Sequence, residues 1–147
     1  MGYSQVVRQW TLTPLFVGSN PPIPISFFFY VNFMIPQIQF IKGVRENTLP
    51  IVKLTRSKNG QTGTATFVFI YPEIFFSKKL SENPITGTYL LWDTKEIISK
   101  DIQVIFKQGQ PFLMKIIFIF KNSQEWFNFL NFMNLYSKET GLFFSES

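Results

Sequence analysis

The sequence predicts an α+β domain: an antiparallel sheet of about five strands built on a long hairpin, with a C-terminal helix packed on one face. Three observations predict it. From Ile38 to Phe120 apolar residues recur at alternate positions in short runs broken by turn residues. An Asn59-Gly60 pair joins two of these runs. The one long stretch with apolar i, i+3, i+4 spacing comes last, between Asn122 and Gly141. Strands followed by a single helix do not suit a parallel βαβ design.

Taken in order, "IQFIKG" (Ile38 to Gly43) alternates briefly and stops at glycine, as a short strand would. After "VRENTLP", "IVKLTRS" (Ile51 to Ser57) and "GTATFVFIY" (Gly63 to Tyr71) are β-branched, alternating strands. The intervening "KNGQT" places Asn59-Gly60 where a type I′ turn needs positive φ at both centre positions. Gly63 is expected to ease a twist or bulge where the second strand starts. Pro72 closes the hairpin, and "EIFFSKKLSEN" (Glu73 to Asn83) has room for one or two helical turns before Pro84. Three further strands are expected at Thr86 to Trp92, Ile97 to Phe106 and Phe112 to Phe120, with turns at "DTKE" and "KQGQP".

The final helix has Asn122 as N-cap, Glu125 three residues on, and Gly141 as the stop. Trp126, Phe129, Leu130, Met133 and Tyr136 form its apolar face, and Asn128, Asn131, Asn134 and Lys138 lie opposite. The "LFFSES" tail after Gly141 is short for a core element and well suited to docking.

Composition narrows the chemistry. At 147 residues the chain suits one domain, and 46% hydrophobic residues with 16% charged ones exclude global disorder. The sequence has no cysteine and no histidine, which excludes disulfides, thiol nucleophiles, imidazole catalysis and soft-metal sites. Abundant Phe, Ile, Asn and Lys, all with A/T-rich codons, hint at an A/T-rich genome such as an organelle's. Fourteen Lys and Arg against nine Asp and Glu give a net charge of +5. That charge suits nucleic acid, an anionic membrane surface or an acidic protein face, but Lys78-Lys79 is the one adjacent basic pair.

Residues 1–33 differ from the rest, with Arg8 as their one charge and "GSNPPIPIS" barring a regular helix. The apolar run that follows, counted from Ile23 to Ile35, is 13 residues, short of the roughly 20 that cross a bilayer as a helix. It lacks the marks of a signal or transit peptide. Residues 1–33 are expected to be a non-core extension, with translation starting at Met34, and residues 34–147 the domain.

Gly60 and Gly63 are three apart, Thr64 stands where a phosphate-binding loop needs lysine, and a strand rather than a helix follows, so no phosphate cradle is expected. Asp93, Glu96 and Asp101 are turn carboxylates without acid/base pairing. Phe67, Phe69 and Tyr71 share one strand face, as core residues do and as a base-stacking platform would. The consensus strand of an RNA-recognition motif is missing. Trp126 with Phe129 suits helix-to-sheet packing. What remains is an interaction module, with a hairpin edge that can accept a partner strand and an apolar tail.

The run from Ile38 to Phe69 with its L-T-R-S-x-x-G-x-x-G-T-A-T-F core, "ITGTYLLWDTKEI", and the ending from Lys121 to Ser147 resemble the photosystem II reaction-centre subunit twenty-eight family. The resemblance covers Met34 to Ser147. It implies a non-enzymatic, extrinsic assembly factor at the stromal (in cyanobacteria, cytoplasmic) face of the plastid or cyanobacterial thylakoid membrane. The implied partners are photosystem II intermediates holding the reaction-centre core and an inner chlorophyll-binding antenna, with peripheral contact to the membrane surface. It brings no catalytic residue, cofactor or metal, no nucleic acid and no small-molecule substrate. The chain departs from the family in being more apolar, as at Phe75, Phe76 and Leu91. The expected docking residues are Arg56, Lys58, Asn59, Gly60, Thr64 and Thr66 on the hairpin, and Leu142, Phe143 and Phe144 on the tail. The alternative from another class is a single-strand RNA-binding domain of an organelle.

Overall fold

A computed structural model describes residues 35–146, so the expected extension over residues 1–33 lies outside them. Among the described residues, nine strands form two sheets. The first sheet contains β1 (Gln37–Ile41), β2 (Val44–Glu46), β5 (Thr88–Trp92) and β6 (Lys95–Ser99), in the order β2-β1-β5-β6 and antiparallel throughout. The second contains β3 (Ile51–Arg56), β4 (Gly63–Ile70), β7 (Ile102–Lys107), β8 (Gln110–Phe120) and β9 (Phe144–Glu146), in the order β7-β8-β4-β3-β9.

A 3-10 turn (Glu73–Phe76) and the short helix α1 (Lys78–Glu82) follow β4, and α2 (Ser123–Thr140) follows β8. The α+β class, the hairpin and the packed C-terminal helix all hold. The strand count is larger than expected because three segments carry weak local signals. "VRE" is three residues long. The run Ile97 to Phe106 divides at Lys100-Asp101 into β6 and β7, which belong to different sheets. The tail becomes β9.

Ser99 marks that division. Its hydroxyl donates to the Ile117 carbonyl on β8 and accepts from the Asp101 amide at 3.2 Å, while Ile117 N–H donates to the Asp101 carbonyl at 3.1 Å. Those bonds tie the corner of one sheet to the middle of the other. Local alternation cannot show such a corner, since it continues across it.

One aromatic core joins both sheets and α2. Phe40 of β1 meets Phe69 of β4 edge-on at 5.0 Å between ring centroids. Trp92 of β5 meets Phe132 of α2 at 5.3 Å, and Phe120 of β8 stacks on Phe129 at 4.6 Å. Trp126, Phe129, Met133 and Tyr136 are buried as the helical spacing required, and Leu130 is half-buried. Phe132 is buried as well, which widens the apolar face beyond the expected residues. Asn122 caps α2 as expected, its Oδ1 accepting from Glu125 N–H at 2.9 Å, and Gly141 closes it at φ 77°. Of the unexpectedly apolar positions, Leu91 is buried, Phe75 is half-buried and Phe76 is exposed.

Candidate docking site

The β3–β4 hairpin runs in unbroken register from Ile51↔Val68 to Arg56↔Gly63. Its connection is not the expected two-residue type I′ turn. Gly60 takes φ 73°, but Asn59 does not enter the left-handed region. The loop instead spans Ser57 to Thr62, closed by Ser57 N–H to the Thr62 carbonyl and Gly60 N–H to the Ser57 carbonyl, both 2.9 Å. The Asn59 carboxamide organises it from within, Oδ1 accepting from Ser57 Oγ at 2.6 Å and from Gln61 N–H at 2.9 Å. Asparagine serves here through its side chain, as in an Asx turn. The type I′ geometry occurs at the β7–β8 turn, where Gln108 (φ 53°) and Gly109 (φ 79°) are both left-handed.

Gly63 also has a different role from the expected bulge. A Cβ there would lie 2.7 Å from Cη2 and Cζ3 of Trp126 and from the Thr55 carbonyl. The indole is seated on the bare backbone, and the Arg56 guanidinium lies 5.9 Å from the same ring. The L-T-R-S-x-x-G-x-x-G-T-A-T-F stretch is therefore a packing unit for α2 as well as a hairpin.

The expected docking residues divide into three groups. Arg56, Lys58 and Asn59 are exposed at the hairpin tip, with Gly60 beside them. Thr64 and Thr66 lie half-buried on β4, an interior strand whose main chain is already paired with β3 and β8. Leu142 and Phe144 pack against the core, while Phe143 between them is 93% exposed.

β9 joins the third group to the edge of the hairpin whose tip carries the first, without reaching the tip itself. It pairs parallel to β3 as Val52↔Phe144, Lys53↔Ser145 and Leu54↔Glu146. The tail thus covers part of the hairpin edge expected to receive a partner. The other border of the sheet is β7, whose outer side has no strand beside it among the described residues. Val104, Ile105 and Phe106 along it are all exposed.

Phe67 and Phe69 are fully buried, and Tyr71 lies past the end of β4 in a left-handed conformation. Those three do not form a stacking platform. Among the described residues no group of three His, Cys, Asp or Glu could hold a metal ion, and no helix is long and apolar enough to cross a membrane.

One functional-looking residue escaped the sequence reading. Glu46 is buried, and its carboxylate accepts from three backbone amides: Glu73 at 2.8 Å, Ile74 at 3.1 Å and Thr48 at 3.2 Å. Its partners lie up to 28 residues away, so no local pattern announces it. It anchors the 3-10 turn and is structural.

The family model described as Psb28 protein matches residues 38–144. A Photosystem II reaction center Psb28 protein of Cyanidioschyzon merolae is 42% identical over 110 residues, covering 75% of this chain and 97% of that protein. Proteins of the same name from Phaeodactylum tricornutum and Trichormus variabilis are 42% and 40% identical over 111 residues, with 96% and 98% of their lengths covered.

Proposed function

The chain belongs to the Psb28 family, and from that membership we propose a non-enzymatic, extrinsic assembly factor of photosystem II. It binds reaction-centre intermediates, including an inner antenna protein, at the stromal face of the thylakoid membrane and attaches to that membrane peripherally. The observation that carries this reading is the match to proteins named for the photosystem II reaction centre across almost their whole length. The domain is then residues 34–147, with residues 1–33 an extension to it.

The five-stranded sheet supports docking by strand addition, in which main-chain hydrogen bonds supply affinity and alternate side chains select the partner. On the β3 side a partner strand continues from β9 or replaces it, flanked by Arg56, Lys58, Asn59 and Gly60 at the tip, Thr64 and Thr66 on the adjoining strand, and Leu142 to Phe144 of the tail. Acidic partner loops suit Arg56 and Lys58.

A pull-down from thylakoid extract, with and without nuclease, tests the reading. Recovery of chlorophyll-binding photosystem II intermediates that survives nuclease is the expected result. Recovery of RNA-dependent material alone would replace it with an organellar RNA-binding role. If Arg56→Glu and truncation after Gly141 both leave recovery intact, docking takes place elsewhere.

A further inference from the structure

The opposite end of the five-stranded sheet has a different character from the β3–β4 tip. β4 ends at Ile70, opposite Leu113, and Tyr71 N–H donates to the Phe112 carbonyl at 2.9 Å. The β7–β8 hairpin continues past that point through the pairs Phe106↔Pro111 and Lys107↔Gln110. It therefore projects as a two-stranded finger closed by the tight Gln108-Gly109 turn.

The turn of the finger is polar, with Lys107, Gln108 and Gln110 exposed, but an exposed apolar patch lies at its base. Phe106 is 61% exposed and Ile105 45% exposed, and beside them Tyr71 is 50% exposed. Tyr71 meets Phe112 edge-on at 5.1 Å, and Lys107 Nζ lies 5.5 Å from the same Phe112 ring. Aromatic rings with a lysine at their border are the side chains that settle at a bilayer's headgroup level.

Charge points the same way. Strands β3, β4, β7 and β8 carry Lys53, Arg56, Lys107 and Lys115 and no carboxylate, so all nine acidic residues of the chain lie off these four strands. At the tip itself the cation is Lys107, since Arg56 lies at the other end and Lys53 and Lys115 sit mid-sheet. The nearest acid in sequence is Glu73, two residues after Tyr71. Exposed apolar side chains bordered by a lysine suit an anionic lipid interface.

The geometry points to the β7–β8 tip as a membrane anchor, Phe106 and Ile105 entering the headgroup boundary while Lys107 meets anionic headgroups. A narrow finger is a poor match for a protein partner, since a specific interface needs about 800 Å² on each side. A bilayer boundary accepts a narrow wedge. The anchor deepens the photosystem reading, on which its setting rests, and it lies at the end of the sheet opposite Arg56 and Lys58, so the two contacts do not compete.

Co-sedimentation of the full chain with phosphatidylcholine vesicles, with and without phosphatidylglycerol, tests it. Binding to the anionic vesicles is expected, reduced severalfold by Phe106→Ser and by Lys107→Glu and weakened by salt, while Phe127→Ser at an exposed position of α2 changes nothing. Circular dichroism of the variants confirms folding, and both altered side chains are exposed. No binding by the wild-type chain overturns the anchor, as does binding that both hairpin variants leave intact. Variants that lose photosystem II intermediates but keep vesicle binding make the tip a protein contact, which also overturns it. A wild-type chain that recovers those intermediates yet ignores vesicles removes the anchor and leaves the assembly role standing.

Discussion

Trp126 occupies the space that a side chain at Gly63 would need: two atoms of its six-membered ring stand 2.7 Å from the position of a Cβ there. Helix α2 is thereby seated on the start of β4. Gly63→Ala must push the indole or the strand aside, at a cost of about 1–3 kcal/mol. Denaturant unfolding measures it, and the cost should shrink in a Trp126→Leu background, where the clash with the indole is relieved and that with the Thr55 carbonyl stays. Equal costs in both backgrounds would show that the Thr55 carbonyl, also 2.7 Å from that Cβ position, rather than the indole, explains the glycine.

Glu46 gathers three backbone amides in a buried position. Glu46→Ala leaves the Ile74 and Thr48 amides without that acceptor, while Glu73 N–H keeps Thr48 Oγ1 at 3.2 Å, and should lower stability by about 2 kcal/mol. Glu46→Gln keeps one acceptor oxygen and should lose about half as much. Hydrogen exchange should quicken first at Ile74, whose amide bonds the carboxylate in a buried position.

Tyr136 is buried, and burial pushes its phenol well above the ordinary tyrosine range, with Arg45 pulling against it and Glu46 adding to it. The unfolded chain's tyrosines ionise near about pH 10. Above that value the unfolded state holds fewer protons than the folded one, so stability falls as pH rises. The contribution is whole below about pH 10 and lost progressively above it. Unfolding measured from about pH 9 to about pH 11 should show a steeper decline for the wild-type chain than for Tyr136→Phe. Parallel curves would remove Tyr136 from the alkaline transition.

β9 covers the β3 edge with three paired positions. Truncation after Gly141 removes it, together with the packing of Leu142 and Phe144 against the core. Amides of β3 should then exchange faster, while those of β4, held between β3 and β8, change little. An unchanged β3 would mean that the tail does not protect that edge in solution.

Much of the fold was legible because its signals are local. Alternation marked β1, β3, β4, β5 and β8, and α2 was written out from Asn122 to Gly141. Helix period, N-cap and C′ glycine each depend on residues within a few positions. The same locality explains the misses. Asn59-Gly60 looks like a type I′ turn, but Ser57 and Thr62 pair across a longer loop, while Gln108-Gly109 adopts that turn without the usual asparagine.

By itself the sequence determined the class, the helix and its core face, the hairpin and the family, because periodicity and motif order survive without coordinates. Only the tertiary structure decided that β6 and β7 lie in different sheets, that Gly63 seats Trp126, and that the tail shields the hairpin edge expected to receive a partner. Each of those depends on residues brought together across the chain, from the 18 positions between Ser99 and Ile117 to the pairing of Val52 with Phe144. Long-range pairing is chosen by burial and hydrogen-bond satisfaction over the whole core, which no local window of sequence contains.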